Sequence, residues 1–402
     1  MMESEWDIIV VGGGIAGLAT TAILAKLNLR VLCIEPQLPS NSKESKSADL
    51  RSTAYLVNSI DLLKDIGAWD YLENHAEQLR VMRICDYGNS IERTQETCFD
   101  SREIGLSNFG YNIPNWITKS SLLSIVNAIK TSKIIFGVKV VELKTHLNRS
   151  YVKLCDNTVL STKLIIGADG KNSDIRFLSN IKCKKWDDAQ DAIACVVTHE
   201  KSHEGASIEI LESGGPCTFV PLKNSVTGEF QSAIVWMELR SKAKNLINLS
   251  EKEFSLQLSL RTKHILGKCK LQSKRAIYPI VTQIADKFYE DRIALIAEAA
   301  HVMPPIGAQG LNTSFEDISL LVKLLKKVME KNGDIGNISN LRNYGITRRR
   351  VTKSKMLGIS LLNNTSKSNA QLTKNFRRMG LAVLKKNAVL RKTLMKAGLS
   401  NF

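Results

Sequence analysis

The chain has 402 residues, of which 44% are hydrophobic and 24% are charged, a balance typical of a globular protein rather than a disordered or fibrous one. It contains no run of about 18 uncharged apolar residues, so we expect no helix that spans a membrane. Its first residues lack the basic stretch and the small-residue cleavage site of a secretory signal. The eight cysteines form no Cys-x-x-Cys pair, which predicts neither a zinc site nor a disulfide framework and favours the reducing cytoplasm.

The net charge of +17 is concentrated in the last sixth of the chain. No acidic residue occurs after Asp334, whereas 15 lysines and arginines follow it. Such a segment attracts anionic lipid head groups or other polyanions. Nucleic acid is the less favoured partner, because the segment has few aromatic residues and no recognition motif. The alternative is a pair of packed helices with a solvated basic face.

The first unit in chain order is a strand, a glycine turn and a helix. Residues 6–11 are apolar, Gly12, Gly14 and Gly17 fit the pattern G-x-G-x-x-G, and residues 18–27 have a helical pattern. In this motif the first glycine permits a tight turn, the second lets the backbone approach a pyrophosphate, and the third lets helix and strand pack closely. The phosphates would lie at the helix N-terminus, where free N–H groups favour negative charge.

An acidic residue follows the turn at the spacing that dinucleotide-binding units use. Glu35 ends the next predicted strand, residues 30–35, about 20 residues after the glycines, where it can accept hydrogen bonds from a ribose. Its charge would repel a 2′-phosphate, so the motif predicts FAD or NAD rather than NADP. The alternative is a glycine-rich turn that binds no ligand.

The rest of the chain alternates between strand and helix patterns. We predict helices at residues 53–63 and 319–330, strands at residues 134–143, 151–155, 163–167 and 293–297, and a strand-rich block over residues 192–236. An early strand–helix–strand unit, a middle sheet block and a late strand–loop–helix indicate a discontinuous cofactor domain with a sheet domain inserted.

Two further motifs follow predicted strands. The sequence Gly-Ala-Asp-Gly-Lys-Asn-Ser at residues 167–173 places Asp169 at the carboxyl end of a strand, although Asp-Gly is also a common turn pair. The sequence A-E-A-A-H-V-M-P-P-I-G-A-Q-G-L-N at residues 297–312 has small residues that let backbone lie against a flat ring. The helix that follows would aim its N-terminal N–H groups at that ring. Within this motif, we interpret His301 as a packed, hydrogen-bonded turn histidine in preference to an acid–base residue.

Four blocks of the sequence together resemble one known family. The glycine turn, the residues Asp-Leu-Arg-Ser-Thr-Ala at 49–54, the 167–176 block and the 298–312 block recur in this order and spacing in the class A FAD-dependent aromatic hydroxylases. The last block is similar to the ubiquinone-biosynthesis hydroxylases, in the branch of the 2-polyprenylphenol and 2-polyprenyl-6-methoxyphenol hydroxylases. The resemblance covers almost the whole chain.

The resemblance implies an α/β fold, in which a discontinuous FAD-binding, Rossmann-like domain carries an inserted β-sheet substrate domain and a C-terminal helical segment. The expected boundaries are 1–75, 101–180 and 285–335 for the FAD-binding domain, 76–100 and 181–284 for the substrate domain, and 336–402 for the basic helical segment.

The resemblance also implies which residues hold FAD. The implied contacts are Gly12, Gly14, Gly17 and Glu35 for the ADP half, Arg51, Asp169 and Glu298 for the pyrophosphate and ribityl region, and Pro305, Gly307, Gly310, Leu311 and Asn312 for the isoalloxazine ring. It implies no metal site, and the sequence identifies no catalytic side chain.

The chain departs from the family's pattern at two places. Ala297 stands where the family generally has glycine, so its extra methyl group would crowd the cofactor. Residues 313–316 also differ from the residues that usually follow Asn312. We expect these changes to bear on activity rather than on the fold.

The implied activity is hydroxylation of the aromatic ring of a polyprenylated phenol in ubiquinone biosynthesis. FAD would stay bound, NAD(P)H would visit transiently, and O₂ would supply the oxygen through a flavin C4a-hydroperoxide. Because a prenylated phenol dissolves in the bilayer, we expect a peripheral contact with the inner face of the cytoplasmic membrane, or with a quinone-synthesis complex, through the basic C-terminal segment. The alternatives are a flavin-dependent reductase of a polyprenyl double bond and a non-catalytic flavoprotein of a quinone-synthesis complex.

Overall fold

A computed structural model describes residues 5–38, 49, 51–87, 95–212, 214–368 and 370–399. The strands in these ranges are β1 (Glu5–Val11), β2 (Val31–Glu35), β3 (Ser52–Leu56), β4 (Glu77–Leu79), β5 (Val81–Asp86), β6 (Gln95–Asp100), β7 (Gly110–Pro114), β8 (Ser132–Phe136), β9 (Val140–Thr145), β10 (Ser150–Leu154), β11 (Val159–Gly167), β12 (Cys183–His199), β13 (Ala206–Glu212), β14 (Gly215–Leu222), β15 (Phe230–Leu239), β16 (Cys269–Leu271), β17 (Ala276–Ala285), β18 (Tyr289–Glu290), β19 (Ile293–Leu295) and β20 (His301–Val302). The α-helices are α1 (Ile15–Ala25), α2 (Val57–Ile66), α3 (Trp69–Leu72), α4 (Asn115–Ala128), α5 (Asp174–Leu178), α6 (Arg240–Ile247), α7 (Glu251–Arg261), α8 (Ala297–Ala300), α9 (Gln309–Met329), α10 (Ile338–Lys367), α11 (Gln371–Lys386) and α12 (Ala388–Leu399).

The first sheet is mostly parallel and carries the glycine turn at the end of its central strand. Its strand order is β18-β19-β11-β1-β2-β8, and β10 pairs antiparallel with both β11 and β9. The central strand β1 is an almost continuous apolar run, and Ile8, Ile9 and Val10 are fully buried. Such runs are typical of parallel strands that are covered on both faces. The mixed α/β architecture predicted from the sequence is confirmed.

The second sheet has nine strands in the order β20-β17-β12-β15-β14-β13-β5-β6, with β16 on β12. Its two faces pack against different layers, because successive side chains on a strand point to opposite sides. Ile193 and Trp236 belong to an outer core with Phe254 of α7. Ala192 and Met237 belong instead to the core that the second sheet shares with the first. The inner face of this sheet is therefore the one that turns toward the glycine turn's domain.

The chain passes directly from the first sheet to the second. Strand β19 lies in the first sheet, and after the short helix α8 the chain enters β20, which pairs with β17 at Gln283 and Ile284. The motif at residues 297–312 therefore crosses from the first sheet to the edge of the second. This crossing places its loop beside the inner face of the second sheet.

Two helices begin at residues that differ from those predicted from the sequence. Residues 53–56 form strand β3 and not helix, because Thr53 and Tyr55 pair with β7 in a small third sheet, β3-β7-β4. The helix predicted at 319–330 begins ten residues earlier, at Gln309, and ends at Met329. In both places long-range pairing and packing decide the backbone conformation more than local propensity does.

The strands of the second sheet do not all fall in the segments expected for the substrate domain. Strands β5, β6 and β12 to β17 lie close to those segments, whereas β20 lies beyond residue 284. The proposed domain boundaries stay predictions.

The basic C-terminal segment forms α10, α11 and α12. Helix α10 packs against α9, against β18 of the first sheet and against β14 of the second, and α11 packs on β6 of the second sheet. Arg377 of α11 donates to the buried Asp86 at 2.6 Å, and Arg391 of α12 makes a bidentate pair with Glu103. The hydroxyl group of Thr97 donates to the carbonyl oxygen of Leu381. Among the described residues, no helix has both the length and the apolar composition that crossing a membrane requires.

Candidate functional site

Close contacts between backbone segments require glycine at two positions of the glycine turn. Gly12 has a φ of +110°, and a Cβ atom there would lie 2.3 Å from the carbonyl oxygen of Ala168. A Cβ atom on Gly17 would lie 1.8 Å from the carbonyl oxygen of Gly12. Both positions accept only glycine, because the strand β11 loop and helix α1 approach the turn too closely for any side chain.

Gly14 is different, because nothing within the chain fills the space beside it. It is exposed, and a Cβ atom there would meet no heavy atom within 4 Å. It precedes α1, whose first turn has neither a side-chain cap nor an acidic residue. The N–H groups of that turn are therefore unpaired and positively polarised, which fits a phosphate group.

Glu35 reaches back to the glycine turn. Its Oε2 atom accepts a hydrogen bond of 2.5 Å from the N–H of Gly13, and its Oε1 atom accepts one from Gln37. A Cβ atom on Gly13 would lie 2.8 Å from the Glu35 Cβ atom, so the middle glycine is needed for this contact. The sequence analysis did not single out Gly13, although its position inside the G-G-G run was the available signal.

Arg51 is held in place by an acidic partner and an aromatic ring. Its guanidinium donates two hydrogen bonds of 2.7 Å to Asp49 and lies 4.6 Å from the ring centroid of Tyr278 on β17. Burial would raise the pKa of Asp49, but the hydrogen bonds and charge of Arg51 outweigh it and lower that pKa. Asn115 also donates to Asp49. Asp49 and Tyr278 therefore fix the orientation of the Arg51 guanidinium against strand β17 of the second sheet.

Asp169 organises its own turn. Its Oδ1 atom accepts from the hydroxyl of Ser173 at 2.5 Å, and its Oδ2 atom accepts from the N–H of Ile175 at 3.0 Å. Arg176 then donates to the carbonyl oxygens of Lys171 and Ala299, which links this turn to helix α8. Both carboxylate oxygens of Asp169 are thus occupied by the protein.

The loop at residues 303–308 and the first turn of helix α9 are open on one side. Pro305, Gly307 and Gly310 are exposed, and a Cβ atom on Gly310 would meet nothing within 4 Å. Glu298 on α8 is also exposed, and its charge acts on Arg51. Helix α9 follows with no acidic residue in its first turn, so its N–H groups at Gly310 and beyond are available to an electron-rich ring.

The side chain of Asn312 is fully used inside the protein. Its Oδ1 atom accepts from the N–H of Leu56 at 2.9 Å and from the hydroxyl of Ser59, while its Nδ2 atom donates to the carbonyl oxygen of Ala54 at 2.8 Å. Leu311 beside it is half-buried against the core. Asn312 therefore fixes α9 against β3 and α2, and only its backbone is free to meet a ligand.

The functional residue that the sequence analysis missed is Asp317. It is fully buried and accepts from the N–H of Ala297 at 3.0 Å, from His301 Nε2 at 2.7 Å and from Arg348 Nε at 2.7 Å. Burial would raise its pKa, but the charges of His301 and Arg348 lower it. The prediction that His301 is a packed, hydrogen-bonded residue is confirmed. The signal for Asp317 was that it alone of the residues after Asn312 kept the family's pattern.

The two departures from the family pattern lie in the interior. Ala297 has a φ of +54° and is buried in the core, so the consequence of its methyl group is backbone strain. Phe315 packs against Tyr55 with ring centroids 5.6 Å apart. Glu316 pairs with Arg348 and Lys355. Phe315 and Glu316 are thus accommodated by local partners, whereas the buried hydroxyl of Thr313 has no hydrogen-bond partner among the described residues.

The two kinds of glycine in the first motif predict two different phenotypes. Gly14→Ala should leave the melting temperature of the apoprotein unchanged, because its φ of −70° suits alanine, but should weaken FAD binding at least about tenfold, or ~1.4 kcal/mol. Gly17→Ala should lower both stability and FAD binding. Flavin absorbance retained after gel filtration, together with thermal unfolding, distinguishes them. A Gly14→Ala protein that binds FAD normally would contradict the assignment.

The strain at Ala297 predicts a stabilising substitution. Ala297→Gly should raise the free energy of unfolding by about 1 kcal/mol, because glycine adopts a positive φ without steric cost. The control is Ala299→Gly in the same short helix, which should lower it by about 1 kcal/mol. Urea unfolding of both variants measures the difference. Equal destabilisation by the two substitutions would show that Ala297 is not strained.

Several known proteins are similar to this chain. The ubiquinone hydroxylase UbiL of Rhodospirillum rubrum is 26% identical over 343 residues, which cover 85% of this chain and 77% of that protein. The 3-demethoxyubiquinol 3-hydroxylase of Escherichia coli K12 is 24% identical over 402 residues, which cover 99% of this chain and all of that protein.

Solved structures and a family pattern complete the comparison. The crystal structure of p-nitrophenol 4-monooxygenase PnpA from Pseudomonas putida DLL-E4 superposes with a TM-score of 0.79 at 19% identity, covering 98% of each chain. At that identity the similarity establishes the fold. The pattern of the FAD binding domain family matches residues 5–356. Because this match spans most of the sequence, the chain belongs to the FAD binding domain family.

Proposed function

We propose that this protein is an FAD-dependent monooxygenase that hydroxylates the aromatic ring of a polyprenylated phenol in ubiquinone biosynthesis, with NAD(P)H and O₂ as co-substrates. The observation that carries the proposal is the open loop at residues 303–308, which runs from the edge of the second sheet to helix α9, and α9 packs against helix α1 of the glycine turn. Relatives that align over 85% to 99% of the chain are named as ubiquinone-pathway hydroxylases, which supports the substrate class.

In this proposal FAD is held by the residues that the three motifs bring together. Gly14 and the first turn of α1 receive the pyrophosphate, and Glu35 accepts hydrogen bonds from the ribose. Arg51 and Glu298 face the ribityl and pyrophosphate region, and Asp169 shapes the turn beside it. The N–H groups at the start of α9 stabilise negative charge on the ring. FAD, when bound, supplies the redox chemistry that activates O₂.

In this proposal the protein itself contributes an apolar wall for the aromatic ring of the substrate. Val220 and Val235 are half-buried on the inner face of the second sheet. We place the aromatic ring of the substrate between these side chains and the loop at residues 303–308. Arg51 lies over the ring of Tyr278 on the same sheet and supplies an oriented cation. Excluding water from such a site strengthens every electrostatic interaction inside it.

Isotope labelling tests the proposal against its alternatives. Holoenzyme supplied with NAD(P)H, ¹⁸O₂ and a prenylated phenol should oxidise the nicotinamide faster with the phenol than without it, and should place one labelled oxygen in the product. Reduction of the substrate without label would favour the reductase. Stoichiometric FAD with no substrate-stimulated oxidation would favour the non-catalytic flavoprotein.

We also propose that helix α11 docks the protein on an anionic lipid bilayer. Leu372, Phe376, Met379 and Val383 follow one face of α11 and are 47% to 75% exposed. The arginine Arg377 points inward instead, so the helix turns its apolar face outward. Lys386 lies one turn beyond Val383 on this face, and the exposed Lys392 and Lys396 follow on α12. No acidic residue occurs in the segment. Apolar insertion flanked by lysines is the chemistry of a peripheral contact with anionic lipid.

Vesicle flotation tests this docking. The holoenzyme should float with vesicles that contain phosphatidylglycerol and not with neutral phosphatidylcholine vesicles. The double substitution Phe376→Asp and Met379→Asp should reduce flotation at least about tenfold. Val226→Asp, at a fully exposed valine outside α11, is the matched control and should float like the wild type. Absence of flotation by the wild type would overturn the bilayer as partner.

A further inference from the structure

One row of side chains crosses the inner face of the second sheet. The strand registers place Ala194 opposite Val235, Val235 opposite Thr218, and Thr218 opposite Glu209. Residues that pair across neighbouring strands share a face. Ala194, Val235 and Thr218 are all half-buried. On the face that turns toward the first sheet, the row therefore presents two apolar side chains, a hydroxyl and, at its end, a carboxylate.

Glu209 is buried without a partner. It is 8% exposed, and no hydrogen bond or ion pair to it occurs among the described parts of the chain. Burying an unpaired carboxylate is costly, so such groups are retained where they serve a ligand or a reaction. The neighbouring Ile84 across the β5 register is half-buried and offers no donor.

Asp86, the other carboxylate on the inner face of strands β5 and β13, is held by ion pairs, in contrast to Glu209. Asp86 lies opposite Leu211, one pleat away from Glu209, and is fully buried. Arg377 and Arg378 of α11 approach it at 2.6 Å and 3.6 Å. Two arginines therefore lie beside Asp86, whereas no arginine pairs with Glu209 among the described residues.

We propose that Glu209 is the catalytic base that ionises the phenol of the substrate. In this step the phenol O–H bond breaks, its electron pair remains on the phenol oxygen, and the proton forms a new O–H bond with the Glu209 carboxylate. No electron is transferred, and the resulting phenolate is a more electron-rich ring for oxygen transfer. The inference rests on the proposed function, because it takes a prenylated phenol as the substrate.

The ionisation of Glu209 suits this role. Burial raises its pKa to about 7 and is the only cause of the shift. The charged groups on the elements packed nearby have other partners: Asp86 pairs with Arg377 and Arg378, and Lys367 of α10 lies 3.9 Å from Asp188. On β17, Tyr278 lies under Arg51. A base is most effective when its pKa is near the working pH.

The substitution Glu209→Gln tests the inference in the holoenzyme. Substrate-stimulated NAD(P)H oxidation by the wild type should rise with pH through about 7, and the variant should lose that rise and be about 100-fold slower at pH 8. A fluorine-substituted prenylated phenol, whose O–H is more acidic, should narrow the gap between the two proteins. Glu238→Gln is the matched control, because Glu238 is a buried carboxylate of the same sheet on the opposite face.

A stability measurement separates a base from a structural residue. Because the folded-state pKa of Glu209 is raised, its ionisation destabilises the fold as pH rises toward and beyond 7. Glu209→Gln should therefore melt at the same temperature as the wild type near pH 4 and at a higher temperature at pH 8. Equal losses of rate on both phenols, an unchanged pH profile or a lower melting temperature at pH 8 would each overturn the inference. A wild type without substrate-stimulated oxidation would instead overturn the proposed function on which it rests.

Discussion

The buried carboxylate of Asp317 joins three parts of the chain that are far apart in sequence. It lies on α9 and receives hydrogen bonds from the start of α8, from His301 on β20 and from Arg348 on α10. Removing one partner from such a network leaves a buried charge unpaired, which costs several kcal/mol. The loop at residues 303–308, the edge of the second sheet and the first helix of the basic segment thus depend on one residue. The electrostatic attraction and the hydrogen bonds of His301 and Arg348 lower the pKa of Asp317 and outweigh the effect of burial.

That network gives the third motif its position between the sheets. Strand β20 pairs with β17, so the loop at residues 303–308 starts from the edge of the second sheet. The left-handed backbone at Ala297 and at Ala308 lets the chain turn sharply on either side of β20. Both are alanines in a conformation that favours glycine, and packing around them maintains it. The site is held by tertiary contacts that outweigh a local conformational cost.

The basic segment combines two opposite uses of positive charge. Arg348, Arg377 and Arg391 turn inward and pair with carboxylates of α9, β5 and the chain after β6. A planar guanidinium suits such bidentate and buried pairs better than an ammonium group does. The lysines near the end of the chain remain exposed, beside the outward apolar face of α11. Net charge alone therefore overstates how basic the exposed surface of this segment is.

The sequence by itself determined the fold class and the position of the three cofactor motifs, because these depend on local patterns. Gly12 and Gly17 are required by contacts within one strand–helix turn, and the spacing of Glu35 follows from the same unit. Tertiary structure alone decided that residues 53–56 form a strand, since their partners on β7 lie some 60 residues away. The tertiary structure also decided which buried carboxylates have an ion-pair partner. Asp86 and Glu209 are both acidic residues on apolar strands, and only the packing of α11 distinguishes the paired carboxylate from the free one.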